Sequence, residues 1–478
     1  MLHTMRITVR PREPRGSRDS NAPGAFSRPT ALLVAGAMFM ELLDGTALTT
    51  AAPRVAAAFG VSSVAMAVPI SAYLVTVAAF IPLGGWAVDR FGGRRTFTVA
   101  VLLFTIASAL CALAPSLATL DVARIAQGVG GALMVPVGRL VVLRGIQRAE
   151  VIRAIAFLTW PALAAPLLGP LVGGLLATYA SWRWIFLLNV PLGVIALCFV
   201  RTIPAERGPH RRPLDVRGWW SSAACLACLT AAASIAALPG SNPLAAGSCL
   251  LVAIVTGVLA VHRLRTAEQP LLRLDALRIR TFRFAHASGS VFRTAINAVA
   301  FLVPLLFIDA FGWTPAHAGE AFIALYAGNL GVKPTTTPLL RRLGFRTVII
   351  GAVFGSIATT ALISTLRGST PIVLTVALLV ASGAFRSIGF TVYNTVAFAD
   401  IDAASLADAN TLSSAIQQLA IGLGAAAGAL ALRLSLALGM HDAYQGAFVV
   451  VAAALLIPAV DALLLPRDVG SALTRNED

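Results

Sequence analysis

Residues 30–53 read TALLVAGAMFMELLDGTALTTAAP, and this stretch decides how the chain must be read. It matches the roughly 20 apolar residues that a helix needs to cross the hydrocarbon core of a bilayer. Yet Glu41 and Asp44 lie inside it. An ionised acid in hydrocarbon is costly, and it marks a functional site with a partner elsewhere in the bundle. The stretch therefore predicts a spanning helix and a second helix that answers its charge.

The rest of the chain has the same character. Of its 478 residues, 58% are hydrophobic and 12% charged, with a mean hydropathy of +0.82. Ordinary soluble domains carry about 25% charged residues, so this is a polytopic membrane protein. The net charge of +16 raises nucleic acid as a partner, but no basic patch interleaved with aromatics appears, and nucleic acid is set aside. The five cysteines lie in apolar segments, and Cys225-x-x-Cys228 falls inside a spanning window without a neighbouring His. They read as small buried residues, with no metal or cofactor implied.

Moving outward from the first window, fourteen apolar windows bounded by Arg, Pro and Gly clusters can be drawn. They run approximately 30–52, 65–88, 96–114, 119–143, 154–178, 184–203, 217–237, 244–262, 282–308, 316–338, 347–365, 371–398, 408–432 and 444–465. If the N-terminus is cytoplasmic, most of the 37 basic residues fall on the cytoplasmic side, and only Arg54, Arg183, Arg367 and Arg433 on the other. Basic loops stay inside. Both termini are therefore expected in the cytoplasm of a multi-pass inner (plasma) membrane protein.

Two turns repeat each other: VDRFGGRRTF (88–97) and LRRLGFRTV (340–348). Related halves explain such an echo. The expected fold is all-α, with fourteen transmembrane helices arranged as six, two and six. Residues 1–29 form a basic cytoplasmic tail, 30–203 an N-terminal six-helix bundle, 204–281 a linker with two inserted helices, 282–465 a C-terminal six-helix bundle, and 466–478 a second cytoplasmic tail.

Four stretches resemble, in order, signature motifs of the major facilitator superfamily: LLDGTALTTAAP (42–53), GGWAVDRFGGRR (84–95), ARIAQGVGGALMVPVGR (123–139) and GPLVGGLL with SWRWIFLLNVPLG (169–176, 181–193). They are most similar to the fourteen-helix branch of drug:proton antiporters. That resemblance implies a major facilitator fold and export of small amphipathic compounds in exchange for protons. It also implies a gating latch at Asp89, Arg90, Arg94 and Arg95, and an antiporter motif at Gly169, Pro170, Gly173 and Gly174. Thr49, Gly93 and Glu41 depart from the usual pattern.

The residues support these expectations on their own terms. At about 1.5 Å per residue, Asp44 lies roughly 12 Å and Glu41 roughly 16 Å below the outer end of the first helix, and Arg124 roughly 8 Å below that of the fourth. The depths suit a water-assisted pair across a cavity. Glu41 and Asp44, three residues apart, share one helix face, and two like charges in a low-dielectric site disfavour double ionisation, so at least one carries a proton. Asp44, Glu41 and Arg124 are the proton-coupling candidates. Buried polar residues elsewhere are candidates for the substrate cavity: Trp160, Arg293, Asn297, Tyr326, Asn329 and Arg386, with Tyr393, Asn394, Gln417 and Gln418. Each could instead be an interhelical hydrogen bond.

Enzymatic chemistry finds no foothold. Lys333 is the only lysine, and Pro334 follows it, so no Walker-type phosphate loop exists; neither H-E-x-x-H nor G-x-S-x-G occurs. The reading is a secondary transporter whose partners are a small amphipathic substrate, protons and the lipid bilayer. It would act as a monomer, to which accessory efflux proteins could couple. The alternatives are export of one specific metabolite, an anionic one suiting Arg293 and Arg386, and a non-transporting membrane sensor.

Overall fold

A computed structural model describes residues 27–143, 148–204, 213–237, 242–268, 270, 272–402, 405–440 and 442–465; the side chains of 143, 148–163, 337, 406 and 407 are also outside the description. The two expected tails thus lie outside the described residues, apart from the few that begin the first helix. The described chain is helical throughout and contains no strand.

The first group of helices comprises α1 (Arg28–Phe59), α2 (Ala67–Phe80), α3 (Leu83–Phe91), α4 (Gly93–Leu113), α5 (Leu117–Leu143), α6 (Arg148–Tyr179), α7 (Arg183–Leu187) and α8 (Asn189–Phe199). Next come α9 (Val216–Ala237) and α10 (Pro243–Thr266). The last group is α11 (Arg280–Leu305), α12 (Pro315–Gly331), α13 (Lys333–Ile363), α14 (Ile372–Ala397), α15 (Leu406–Ala437), α16 (Ala443–Ala454) and α17 (Leu456–Leu463). Two pairs continue one another along a single rod: α2 with α3 at Ile81-Pro82, and α16 with α17 at Leu455.

Twelve of these runs, among the described residues, are long and apolar enough to cross a membrane. Of the other two expected windows, 154–178 falls on α6, whose described apolar part is the shorter Ala164–Tyr179, and 316–338 falls on α12 and the start of α13. Lipid-facing surfaces follow the helical period. On α4, Val99, Leu102, Ile106, Leu110 and Leu113 are exposed at intervals of three or four, while Phe97, Ala100, Val101 and Phe104 are buried.

Local chemistry sets the ends. Gly60 closes α1 in the left-handed region and donates to Ala56 and Ala57 carbonyls. Asn242 caps α10 by accepting from the Leu244 amide at 2.9 Å, with Pro243 in the first turn. The repeated turns have a common backbone: Gly92 at φ 88°, ψ 150° and Gly344 at φ 76°, ψ 162°. That region is essentially reserved for glycine, so the sequence echo is a conformational one.

The neighbours of each helix divide the bundle. α1 packs on α6, and both α2 and α4 pack on α5; α11 packs on α15, and α14 on α12 and α13. Two pairings, α6 with α12 and α2 with α15, join these groups. The α9–α10 hairpin lies at the periphery: only 11% of the α10 span and 22% of the α9 span is buried, against 78% for the span containing α11. Trp219 fastens the hairpin by donating to the Ala79 carbonyl at 3.0 Å, and Asp215 ties its two helices together by capping Gly218 at 3.1 Å and meeting Arg263 at 3.2 Å.

Candidate functional site

The charged pair expected from the sequence is present, but in direct contact rather than across a water-filled gap. Arg124 on α5 donates through Nη1 to Asp44 Oδ2 on α1, and the same nitrogen reaches Gln127 Oε1 at 2.6 Å. Gln127 Nε2 in turn donates to Asp44 Oδ1 at 3.1 Å and to Ser108 Oγ at 2.8 Å, and Asn189 Nδ2 donates to Asp44 Oδ1 at 2.8 Å. None of these five residues is more than 1% exposed. The Asp44 carboxylate is thereby fully engaged, which is what a buried charge requires.

Glu41 takes a different partner. Its Oε1 accepts from the Tyr73 hydroxyl at 3.2 Å, while Oε2 is buried with no hydrogen bond among the described residues. The Arg124 guanidinium lies 4.2 Å from the centre of the Tyr73 ring and 5.8 Å from that of Phe186, distances suited to cation–π attraction. Tyr73 thus connects the two acids, one through its ring and Arg124, the other through its hydroxyl. Gly131 makes room for this junction: a Cβ there would stand 2.8 Å from the Tyr73 hydroxyl oxygen.

The sequence reading did not single out Gln127, Ser108, Asn189 or Tyr73. Gln127 lies one turn beyond Arg124, and Asn189 sits in the quoted 181–193 stretch; a polar residue in a motif-bearing apolar helix was the available signal.

Gly169, Pro170, Gly173 and Gly174, expected from the resemblance to form an antiporter motif, lie where α6 meets α1 on one side and α12 on the other. A Cβ at Gly169 would overlap Thr46, and one at Gly173 would overlap the Ala47 carbonyl on α1. On the other side, a Cβ at Gly174 would overlap the Pro315 carbonyl of α12, and one at Gly319 would overlap the carbonyl of Pro170. The Ala316 amide also donates to Thr178 Oγ1 at 3.0 Å. Bare backbone lets α6 lie against α1 and α12 at once.

The loop candidates Asp89, Arg90, Arg94 and Arg95 flank the Gly92 turn, where Thr96 Oγ1 donates to the Ala87 and Gly92 carbonyls at 3.1 and 2.9 Å. Asp89 makes no hydrogen bond or ion pair among the described residues, and α4 has no side-chain cap.

Several cavity candidates meet in the last helix group, α11–α17. Arg293 Nη2 donates to Asn394 Oδ1 at 2.7 Å, and Arg386 Nη2 donates to Asn297 Oδ1 at 3.2 Å. Asn297 donates back to the Arg293 carbonyl at 2.8 Å, and Arg386 lies 5.9 Å from the Tyr326 ring centre. Neither arginine has an acidic partner among the described residues. Tyr393 is buried and shares a 3.0 Å bond with Ser288, and Gln417 donates to Ser413 at 2.7 Å, which bonds His286 at 2.8 Å. The Asn329 and Gln418 side chains join no such bond among the described residues. Trp160 falls on α6, with its side chain outside the described residues. No cluster of His, Cys, Asp or Glu able to hold a metal occurs among the described residues.

Comparison with known proteins gives one consistent likeness. Residues 34–261 match the pattern of the Major Facilitator Superfamily. A protein of Escherichia coli O6:H1 (strain CFT073) named "Putative multidrug resistance protein MdtD" is 35% identical over 403 residues, covering 84% of this chain and 85% of the relative. Among solved structures, a D-xylose-proton symporter aligns with a TM-score of 0.66 at 15% identity, covering 93% of this chain and 99% of that one. A POT family transporter in complex with 5-aminolevulinic acid aligns with a TM-score of 0.67 at 14% identity, covering 94% and 98%.

Proposed function

Because this chain belongs to the major facilitator superfamily and is a transporter rather than an enzyme, we propose that it exports small amphipathic compounds in exchange for protons by alternating access. The buried Asp44–Arg124 cluster, linked through Tyr73 to an acid with one unpartnered oxygen, carries this reading. A permanent brace would need only a satisfied pair. Here a second carboxylate lies one residue contact away.

The cluster can work as a proton switch. A proton arriving on Asp44 cancels its attraction for Arg124, and the guanidinium keeps only Gln127 and the aromatic faces as partners. Uncompensated buried charge is strongly unfavourable, by about 3–5 kcal/mol, so Arg124 must move or recruit a new partner. Glu41 keeps a buried oxygen without a hydrogen bond among the described residues, and Tyr73 links it to the guanidinium. Proton uptake at Asp44 is thereby tied to a rearrangement where α1, α2 and α5 meet. In this reading Asp44 is essential and Glu41 sets the preference for cationic substrates.

The layout belongs to the same proposal. With α6 and the α12–α13 pair counted as spans, fourteen helices fall into bundles at 30–203 and 282–465, with the 204–281 linker supplying the peripheral hairpin. Both termini would be cytoplasmic in the inner membrane, and the chain would work as a monomer. The close α6–α12 seam and the unpaired Asp89 fit a state closed at the outer end, with the cytoplasmic latch released.

Expression in an efflux-deficient host tests the function. Cells carrying the protein should accumulate less ethidium than cells without it, and a protonophore should abolish the difference. Equal accumulation across a panel of lipophilic cations and neutral drugs would sink the proposal. One observation favours a second reading, export of an anionic metabolite: among the described residues Arg293 and Arg386 are hydrogen-bonded only to amide and carbonyl oxygens. Transport of organic anions alone would select it.

A further inference from the structure

The α9–α10 hairpin and the connection from α10 to α11 are not used by the transport reading, yet two cavities lie there and share a residue. The first, of about 680 Å³, is lined by Arg265, Arg273, Arg278 and Arg283, with Asp275 as its acid. The second, of about 620 Å³, is an apolar groove between α9 and α10, and Arg265 stands at its end. We propose that together they bind one anionic phospholipid, its headgroup among the arginines and an acyl chain along the groove.

The groove has the dimensions of a lipid tail. Leu250, Ile254, Gly257, Val261 and Arg265 recur every three or four residues and so form one stripe of α10, facing Cys225 and Leu229 of α9. From Arg265 to Leu250 the helix rises roughly 22 Å, enough to cross the roughly 15 Å that one leaflet contributes to a core about 30 Å thick. Gly257 keeps the floor low, since a Cβ there would come within 3.0 Å of the Cys225 sulfur.

The headgroup end has charge to spare. Arg273 is committed to Asp408 at 3.6 Å, but the side chains of Arg265, Arg278 and Arg283 have no ion-pair partner among the described residues. Basic loops attract any anionic membrane surface. What distinguishes this one is that the guanidinium closing the cleft also ends the groove, so head and tail of a single amphiphile can be satisfied together. A zwitterionic lipid would fill the groove and offer its phosphate, but would also bring a cationic ammonium among the arginines; a free phosphate would answer the arginines and leave the groove empty.

Native mass spectrometry of the full chain in detergent, titrated with phosphatidylglycerol or with phosphatidylcholine of the same acyl chains, tests the site. One phosphatidylglycerol should be retained in preference, and glycerol phosphate should not displace it at equal concentration. Arg265→Gln with Arg278→Gln should weaken retention on the order of tenfold or more. Ile254→Trp, on the exposed wall of the groove, should weaken both lipids. Equal retention of the two lipids, unchanged retention by both variants, displacement by glycerol phosphate, or a second copy of the chain in place of lipid would each overturn the proposal.

Discussion

The Asp44→Asn substitution probes the proposed switch most directly. Asp44 accepts from Arg124, Gln127 and Asn189, all through donors. An asparagine offers one acceptor and one donor, so either Arg124 or the two amides must then face an N–H group. Arg124 also loses its counter-charge while fully buried. Removing one partner of a buried pair costs about 3–5 kcal/mol, or roughly two to three and a half orders of magnitude in any equilibrium that needs the pair. If the pair is broken and remade in each cycle, substrate-driven proton release should fall by about that factor while substrate still binds. Inverted vesicles with an imposed pH gradient and a pH-sensitive dye read this directly. The companion variant Asp44→Asn with Arg124→Gln separates switch from brace. It removes the stranded charge and should recover stability without recovering proton release. Normal proton-coupled export by Asp44→Asn, or export restored in the double variant, would refute the reasoning.

Other perturbations address the surrounding parts. Glu41→Gln leaves the Tyr73 contact possible while removing charge, so transport of neutral drugs should persist and that of some cationic drugs should fall, as drug-resistance profiles would show; an unchanged profile would leave Glu41 without a role in selectivity. Gly174→Ala places a methyl group against the Pro315 carbonyl, an overpacking cost of about 1–3 kcal/mol, and cysteine accessibility near Thr178 should rise as the outer seam opens. Asp89→Asn should slow turnover with membrane insertion intact, because Asp89 has no partner among the described residues and, in the proposed cycle, would act when the latch closes; vesicle uptake at the normal rate would make it an anchor residue alone.

The sequence by itself determined what burial and length can determine. Apolar runs of bilayer length predicted spanning helices, since backbone polar groups in lipid must be satisfied within the segment. The paired turns at Gly92 and Gly344 were legible because their backbone conformation admits essentially only glycine. Asp44 and Arg124 stood out because charge inside hydrocarbon is too costly to be incidental. The tertiary structure decided which helices meet, and hence which ordinary polar residues join the site. Nothing in Tyr73, Ser108, Gln127 or Asn189 as residue types distinguishes them from any other polar residue in a spanning helix, and they become parts of one cluster only because α2, α4, α5 and α8 bring them to α1. The same holds for Glu41 and Asp44. Their spacing put them on one face, but packing gave one a full set of donors and left the other an open oxygen, because hydrogen-bond satisfaction is a property of neighbours that the chain acquires only by folding.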